Sequence, residues 1–167
     1  KDFQGEIAVY VQDDEDTLLT NSGRITISSE WKRHCITLYG ENSAYGKLTF
    51  LLDGIGKVDL DAVMLYDNDY WGSNNPKWSQ GLLRRDMVEA LRELHPSFMR
   101  FPGGCIVEGL DMNNEYHWKD SVGPLLDRKS DYNLWAYQEK DLGYSQSRQI
   151  GFYEFFLLCE DLNMEAL

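Results

Sequence analysis

Arg100-Phe101-Pro102-Gly103-Gly104-Cys105-Ile106-Val107-Glu108-Gly109 is the stretch on which the fold turns. Before it, Ser97-Phe98-Met99-Arg100-Phe101 reads as a short buried strand. Pro102 and two glycines stop that strand and allow a sharp turn with close backbone approach. A permanent cation, Arg100, is thereby set at the carboxyl end of a strand. Upstream, Leu83, Met87, Ala90, Leu91 and Leu94 fall on one helical stripe, with Arg84, Arg85, Glu89 and Glu93 outside it, and Pro96 ends that helix. Downstream, Phe152, Phe155, Phe156, Cys159 and Leu162 set a second helix, and Met164-Glu165-Ala166-Leu167 opens another strand. Helix, strand, loop, helix, strand is α/β logic. The connection from Cys105 to Ile150 holds Tyr116, Trp118, Trp135, Tyr137 and Tyr144. A long connection rich in aromatics is functional rather than disordered, and in an α/β barrel the loops after strands build the active face.

Further toward the N-terminus the texture changes. Residues 5–67 alternate with period two: Ile7, Val9 and Val11, then Ile25 and Ile27, then Val58, Leu60, Ala62 and Met64. Turn chemistry separates these runs at residues 13–16, 21–23, 40–42 and 53–56. The expected fold class is mixed: part of an antiparallel, jelly-roll-like β-sandwich over residues 1–67, a linker over 68–80, and an α/β segment over 81–167. The chain opens at Lys1 without Met and stops after a run that looks like the start of a strand, as expected of a piece of a longer protein.

Composition narrows the function classes. The 167 residues are 43% apolar and 26% charged, which is globular, and the net charge of −12 repels the phosphates that give most nucleic-acid affinity. Neither nucleic acid nor a membrane is expected as a partner, since no apolar run of bilayer-spanning length occurs. Cys35, Cys105 and Cys159 are odd in number and widely spaced, so no disulfide framework or zinc site is expected. The 13% aromatic content suits stacking on sugar rings and suits a plain core equally well.

Individual residues carry two readings each. Arg100 either orients a catalytic carboxylate from a neighbouring strand or forms a structural ion pair. Cys105 fits the wall of a sugar pocket or a buried small position better than a nucleophile, because neither His95 nor His117 completes a Cys-His signature. Glycosidases need two carboxylates at a set separation. Glu108, Asp111, Glu115 and Asp120 all lie in one loop, which is a poor source of a rigid pair. Asp59 and Asp61 read as an exposed strand face more readily than as calcium ligands. No phosphate-binding glycine loop occurs, and no cofactor or metal is expected.

The string from Arg100 to Gly109 closely resembles the alpha-L-arabinofuranosidases of glycoside hydrolase family 51. Matches follow in order at Tyr116-His117-Trp118-Lys119-Asp120-Ser121-Val122-Gly123-Pro124, Asn133-Leu134-Trp135, Gly151-Phe152-Tyr153-Glu154-Phe155 and Leu158-Cys159-Glu160-Asp161-Leu162. The first part, with Glu30-Trp31-Lys32-Arg33 and Val58-Asp59-Leu60-Asp61-Ala62-Val63, is similar to the carbohydrate-binding sandwich of some of these enzymes. The resemblance implies retaining hydrolysis of terminal arabinofuranosyl groups from arabinan or arabinoxylan, with arabinose-containing saccharides as partners. It implies that residues 81–167 are the early part of a (β/α)8 TIM barrel, with an acid/base and a nucleophilic glutamate on later strands, so that no catalytic residue lies in this chain. It assigns Arg100 to support of the nucleophile, and Cys105 and Trp135 to substrate binding. A non-catalytic carbohydrate-binding protein and a related glycosidase with another sugar specificity are the alternatives.

Overall fold

The computed structural model describes residues 3–78, 83–135 and 145–167. The chain forms two compact units, Lys1–Asp61 and Ala62–Leu167.

In the first unit, strands β1 (Gln4–Gln12), β2 (Gly23–Ile25) and β3 (Lys47–Ile55) form an antiparallel sheet in the order β2-β1-β3. Ile7, Val9 and Val11 stand opposite Leu52, Phe50 and Leu48, and Ile7 also stands opposite Ile25. Directly paired residues project from the same side, so the period-two pattern becomes one apolar face. Ile7 and Val9 are buried on it. Ile36 lies over Gly23, one methyl only 2.2 Å from where a Cβ would sit.

Two expectations fail here. The alternation from Val58 to Met64 makes no strand, since these described residues join no ladder. Residues 53–56, expected as a reversal, instead carry β3 on through Ile55. The reason is a cross-strand glycine pair: Gly54 faces Gly5, and a Cβ on Gly54 would meet the Gln4 carbonyl oxygen at 2.3 Å. Gly54 is there for close approach of two backbones, a role that reads like a turn glycine in sequence.

In the second unit, β4 (Phe98–Met99) pairs in parallel with β7 (Glu165–Ala166), and α3 (Phe152–Leu162) makes the crossover. The Glu165 and Leu167 N–H groups donate to the Ser97 and Met99 carbonyls, both at 2.9 Å. A parallel pair needs such a helical crossover. α3 stops at Asn163, which takes the left-handed conformation asparagine tolerates. Its inner face supplies Leu157, Leu158 and Cys159 to a core completed by Trp78, Val88 and Met164.

Helix α1 (Arg85–Glu93) forms where expected, but only part of the expected stripe faces inward. Val88 is buried, with Leu83 and Leu91 packed beside it, whereas Met87 is 61% exposed and Leu94 is exposed too. The expected linker is also built into this core. Trp78 is buried, Trp71 packs beside it, and both indole N–H groups donate to the same Asp161 oxygen at 2.8 Å.

The glycine contact gives a direct test of the β1–β3 register. Gly54→Ala drives a methyl into backbone that cannot move aside, and is expected to cost the first unit about 1–3 kcal/mol in urea unfolding followed by circular dichroism. An unchanged midpoint would refute the pairing of Gly54 with Gly5.

Candidate functional site

The site begins where β4 ends. Gly103 has φ 100°, a conformation side chains other than glycine's rarely adopt, and it launches the short helix α2 (Gly104–Glu108). Arg100 turns back over this helix, one Nη atom 3.6 Å from where a Cβ on Gly104 would stand. Cys105, the next residue along, is exposed. Arg100 and Cys105 therefore share one end of the strand, as the sequence pattern requires.

Arg100 itself departs from expectation. Read as lying in a buried strand, it is exposed, and no carboxylate pairs with it among the described residues. The physical reason is desolvation: a guanidinium without a carboxylate costs several kcal/mol to bury and stays in water.

Trp135 is reached through the long connection. Strands β5 (Asp131–Tyr132) and β6 (Ser145–Gln146) pair antiparallel at its base. Asn133, buried, accepts the Trp135 N–H at 3.0 Å, and the indole is 59% exposed. Ile106 of α2 and Leu134, chain neighbours of Cys105 and Trp135, line one small cavity of about 10 Å³, and neither Cys105 nor Trp135 lines it. No hydrogen bond joins Arg100, Cys105 and Trp135 to each other among the described residues. Tyr137 and Tyr144 of the aromatic series lie outside the described residues.

Two arginines that the sequence reading did not single out hold the connection in place. Arg128 and Glu154 form a two-pronged ion pair, 2.8 Å on each prong, with side chains 3% and 4% exposed. The remaining Arg128 donors reach the carbonyls of Gly123, Arg148 and Gln149. Glu154 also accepts the Gly151 N–H at 2.8 Å, which caps the start of α3. A glutamate three residues past a glycine at the head of an apolar helix was the available signal. Arg148, 4% exposed, joins Asp120 at 3.1 Å and Asp131 at 2.8 Å and lies over the Tyr116 ring. An aromatic cluster floors the same end: Phe101 stacks on Phe155 at 3.7 Å, and Phe152 meets Phe101, Tyr116, Trp118 and Phe156.

The loop carboxylates find local work. Asp111 caps the Asn113 N–H at 2.7 Å, Asp120 serves Arg148, and Glu115 approaches His117 at 3.8 Å. Asp59 and Asp61 are exposed and off any strand, and no cluster of three or more metal-ligating side chains occurs among the described residues. No helix among them is long and apolar enough to cross a membrane. Burial pushes the Cys159 thiol above its ordinary pKa, while Cys35 and Cys105 are open to solvent.

Residues 90–167 match the family described as the Alpha-L-arabinofuranosidase 1 domain. The chain is 30% identical to the extracellular exo-alpha-L-arabinofuranosidase of Streptomyces chartreusis, the match covering 96% of this chain and 19% of that one. It is 27% identical to alpha-L-arabinofuranosidase 2 of Arabidopsis thaliana, over 97% of this chain and 25% of the relative. Among solved structures it superposes on the arabinose-bound MgGH51 α-L-arabinofuranosidase with a TM-score of 0.68 and 25% identity, covering 99% of this chain and 26% of that one. A parallel strand pair bridged by a helix, with its loop cluster at one end, is thus the part of the chain that these glycoside hydrolases resemble. Over residues 90–167 above all, the chain is similar to the alpha-L-arabinofuranosidases of family 51, and it spans 19% and 25% of the length of these two relatives.

The buried pair and the thiols each yield an expected outcome. Glu154→Ala strands Arg128 without a counter-charge and is expected to cost about 3–5 kcal/mol, with the double change Arg128→Met/Glu154→Leu recovering part of that in denaturant titrations. A loss below 1 kcal/mol would show that the pair is solvated. Iodoacetamide at pH 8 is expected to label Cys35 and Cys105 in the native chain and Cys159 only after unfolding, read by peptide mass.

Proposed function

We propose that this chain is the carbohydrate-binding-type sandwich portion and the first strand–helix–strand unit of a (β/α)8 barrel in a retaining alpha-L-arabinofuranosidase acting on arabinan- or arabinoxylan-type hemicellulose. The sandwich-type strands lie in the unit Lys1–Asp61 and the barrel-type strand–helix–strand in the unit Ala62–Leu167. The observation that carries the reading is the position of Arg100: a solvated guanidinium, without a carboxylate partner among the described residues, over Gly104 at the carboxyl end of a strand in a parallel pair, with the exposed Cys105 next in the chain.

Active sites in barrels of this kind form at the carboxyl ends of the strands. There, Arg100 meets a carboxylate delivered by a neighbouring strand, holds it ionised and aims it as the nucleophile. Cys105 and Trp135 wall the arabinofuranosyl group, the indole offering a flat apolar face. The acid/base and nucleophilic glutamates are supplied by strands outside residues 1–167. Retaining hydrolysis places those two carboxyl groups about 5–5.5 Å apart, and the positively charged sugar transition state gains from an acidic surround. The net charge of −12 supports that fit.

The 167-residue chain is expected to bind arabinofuranosyl oligosaccharides weakly, quenching tryptophan emission, and to release no arabinose from them. L-Arabinose is expected to slow alkylation of Cys105 and leave Cys35 unaffected. Turnover by this chain alone would sink the assignment of both glutamates to other strands. Equal protection of Cys35 and Cys105, or none, would remove Cys105 from the sugar wall.

A further inference from the structure

Trp135 is largely exposed, and no ring contact among the described residues braces it. An aromatic side chain without packing of its own goes where its backbone sends it. That backbone is fixed at two points. Asn133 holds the Trp135 N–H, and Asp131, at the start of β5, is held by Arg148 at 2.8 Å. Asp131 also accepts the Tyr132 N–H and the Asn114 side-chain amide, both at 2.7 Å.

Arg148 is itself immobilised. It is nearly fully buried, lies over Tyr116 with its guanidinium carbon 5.3 Å from the ring centre, and gives its other terminal nitrogen to Asp120, within the 3-10 turn Trp118–Ser121. One planar cation thus links three separate stretches of the connection. Without it, Asp120 and Asp131, both only partly exposed, lose the counter-charge they share. A lysine keeps the charge and cannot span both carboxylates with the same fixed fork.

We propose that Arg148 is the positioning residue for Trp135: by drawing Asp131 toward Asp120 it fixes the base of β5 and the direction in which the indole is presented to a sugar. The proposal rests on the preceding functional reading only in naming the sugar as what Trp135 meets.

The test uses the whole chain labelled with 5-fluorotryptophan, whose five tryptophans give five fluorine NMR lines. The line lost in Trp135→Phe identifies Trp135. In Arg148→Lys that line is expected to shift and broaden while those of Trp71 and Trp78, which sit in the helical core, hold their positions. Asp131→Asn, which keeps the acceptor for Asn114 and removes the charge, is expected to move the same line the same way, and it serves if Arg148→Lys does not fold. Affinity for an arabinofuranosyl oligosaccharide is expected to fall about tenfold in either variant, the scale of one lost charge-assisted hydrogen bond. A Trp135 line unchanged in both variants overturns the proposal, as does a shift of Trp71 and Trp78 as large as that of Trp135. A Trp135 line that moves in the variants and ignores the sugar in the parent chain upholds the positioning role and removes Trp135 from the sugar wall.

Discussion

Burying a guanidinium is tolerable only when a carboxylate meets it and its other protons find acceptors, and Arg128 satisfies both conditions through Glu154 and three backbone carbonyls. Much else follows from that contact. Glu154 also caps Gly151, so the carboxylate that neutralises Arg128 fixes the first turn of α3. α3 in turn delivers Leu157, Leu158 and Cys159 to the core and returns the chain to lie parallel to β4. The carbonyls that Arg128 engages belong to the interior of the long connection, at Gly123, and to its end, at Arg148 and Gln149. The pair therefore ties the crossover helix to the connection that carries Trp135.

The arginines of this unit divide by what surrounds them. Arg128 and Arg148 are buried where carboxylates of the same chain reach them, and Arg100 is solvated where none does among the described residues. Desolvation alone explains the difference. It also gives Arg100 a different meaning from the other two. A cation that is structurally redundant, held against Gly104 beside an exposed thiol, is available to a carboxylate from elsewhere, whereas Arg128 and Arg148 are already committed.

Periodicity carried much of the fold into the sequence. α3 begins at Phe152 and ends at Leu162, as the apolar spacing requires, and β4 and β7 fall on the short runs after Pro96 and Met164. Periodicity failed where two signals overlap. Around the nine-residue helix α1, the expected stripe is split: Leu83 and Leu91 pack on the core with Val88, while Met87 and Leu94 stay exposed, and only tertiary packing makes that choice. The run from Val58 to Met64 alternates as a strand should but has no paired neighbour among the described residues, and a strand is defined by its neighbour. The motif around Arg100, Gly103 and Cys105 was legible because its glycine constraint is local. Arg128 and Glu154 were not, because they stand 26 residues apart and nothing in either one's neighbours announces the other.

The connection between α2 and α3 shows how a site can be built on a loop and still be held. Ordering a residue costs roughly 1–2 kcal/mol of backbone entropy, so a stretch of this length stays ordered only if it is tied down at short intervals. The ties are spaced accordingly: Asn114 to Asp131, Tyr116 and Trp118 to Phe152, Asp120 to Arg148, Arg128 to Glu154, and Asp131 to Arg148. Most are charge-assisted or aromatic, and nearly all return to the head of α3 or to the residues just before it. Because a helix N-terminus and the carboxyl end of the preceding parallel strand lie at the same end of a strand–helix–strand unit, ties to the head of α3 are ties to the end of β4. The loop bearing Trp135 is thus referred to the same rigid corner that presents Arg100 and Cys105, and that shared reference frame, more than any direct contact among the three, is what makes a common sugar wall physically reasonable.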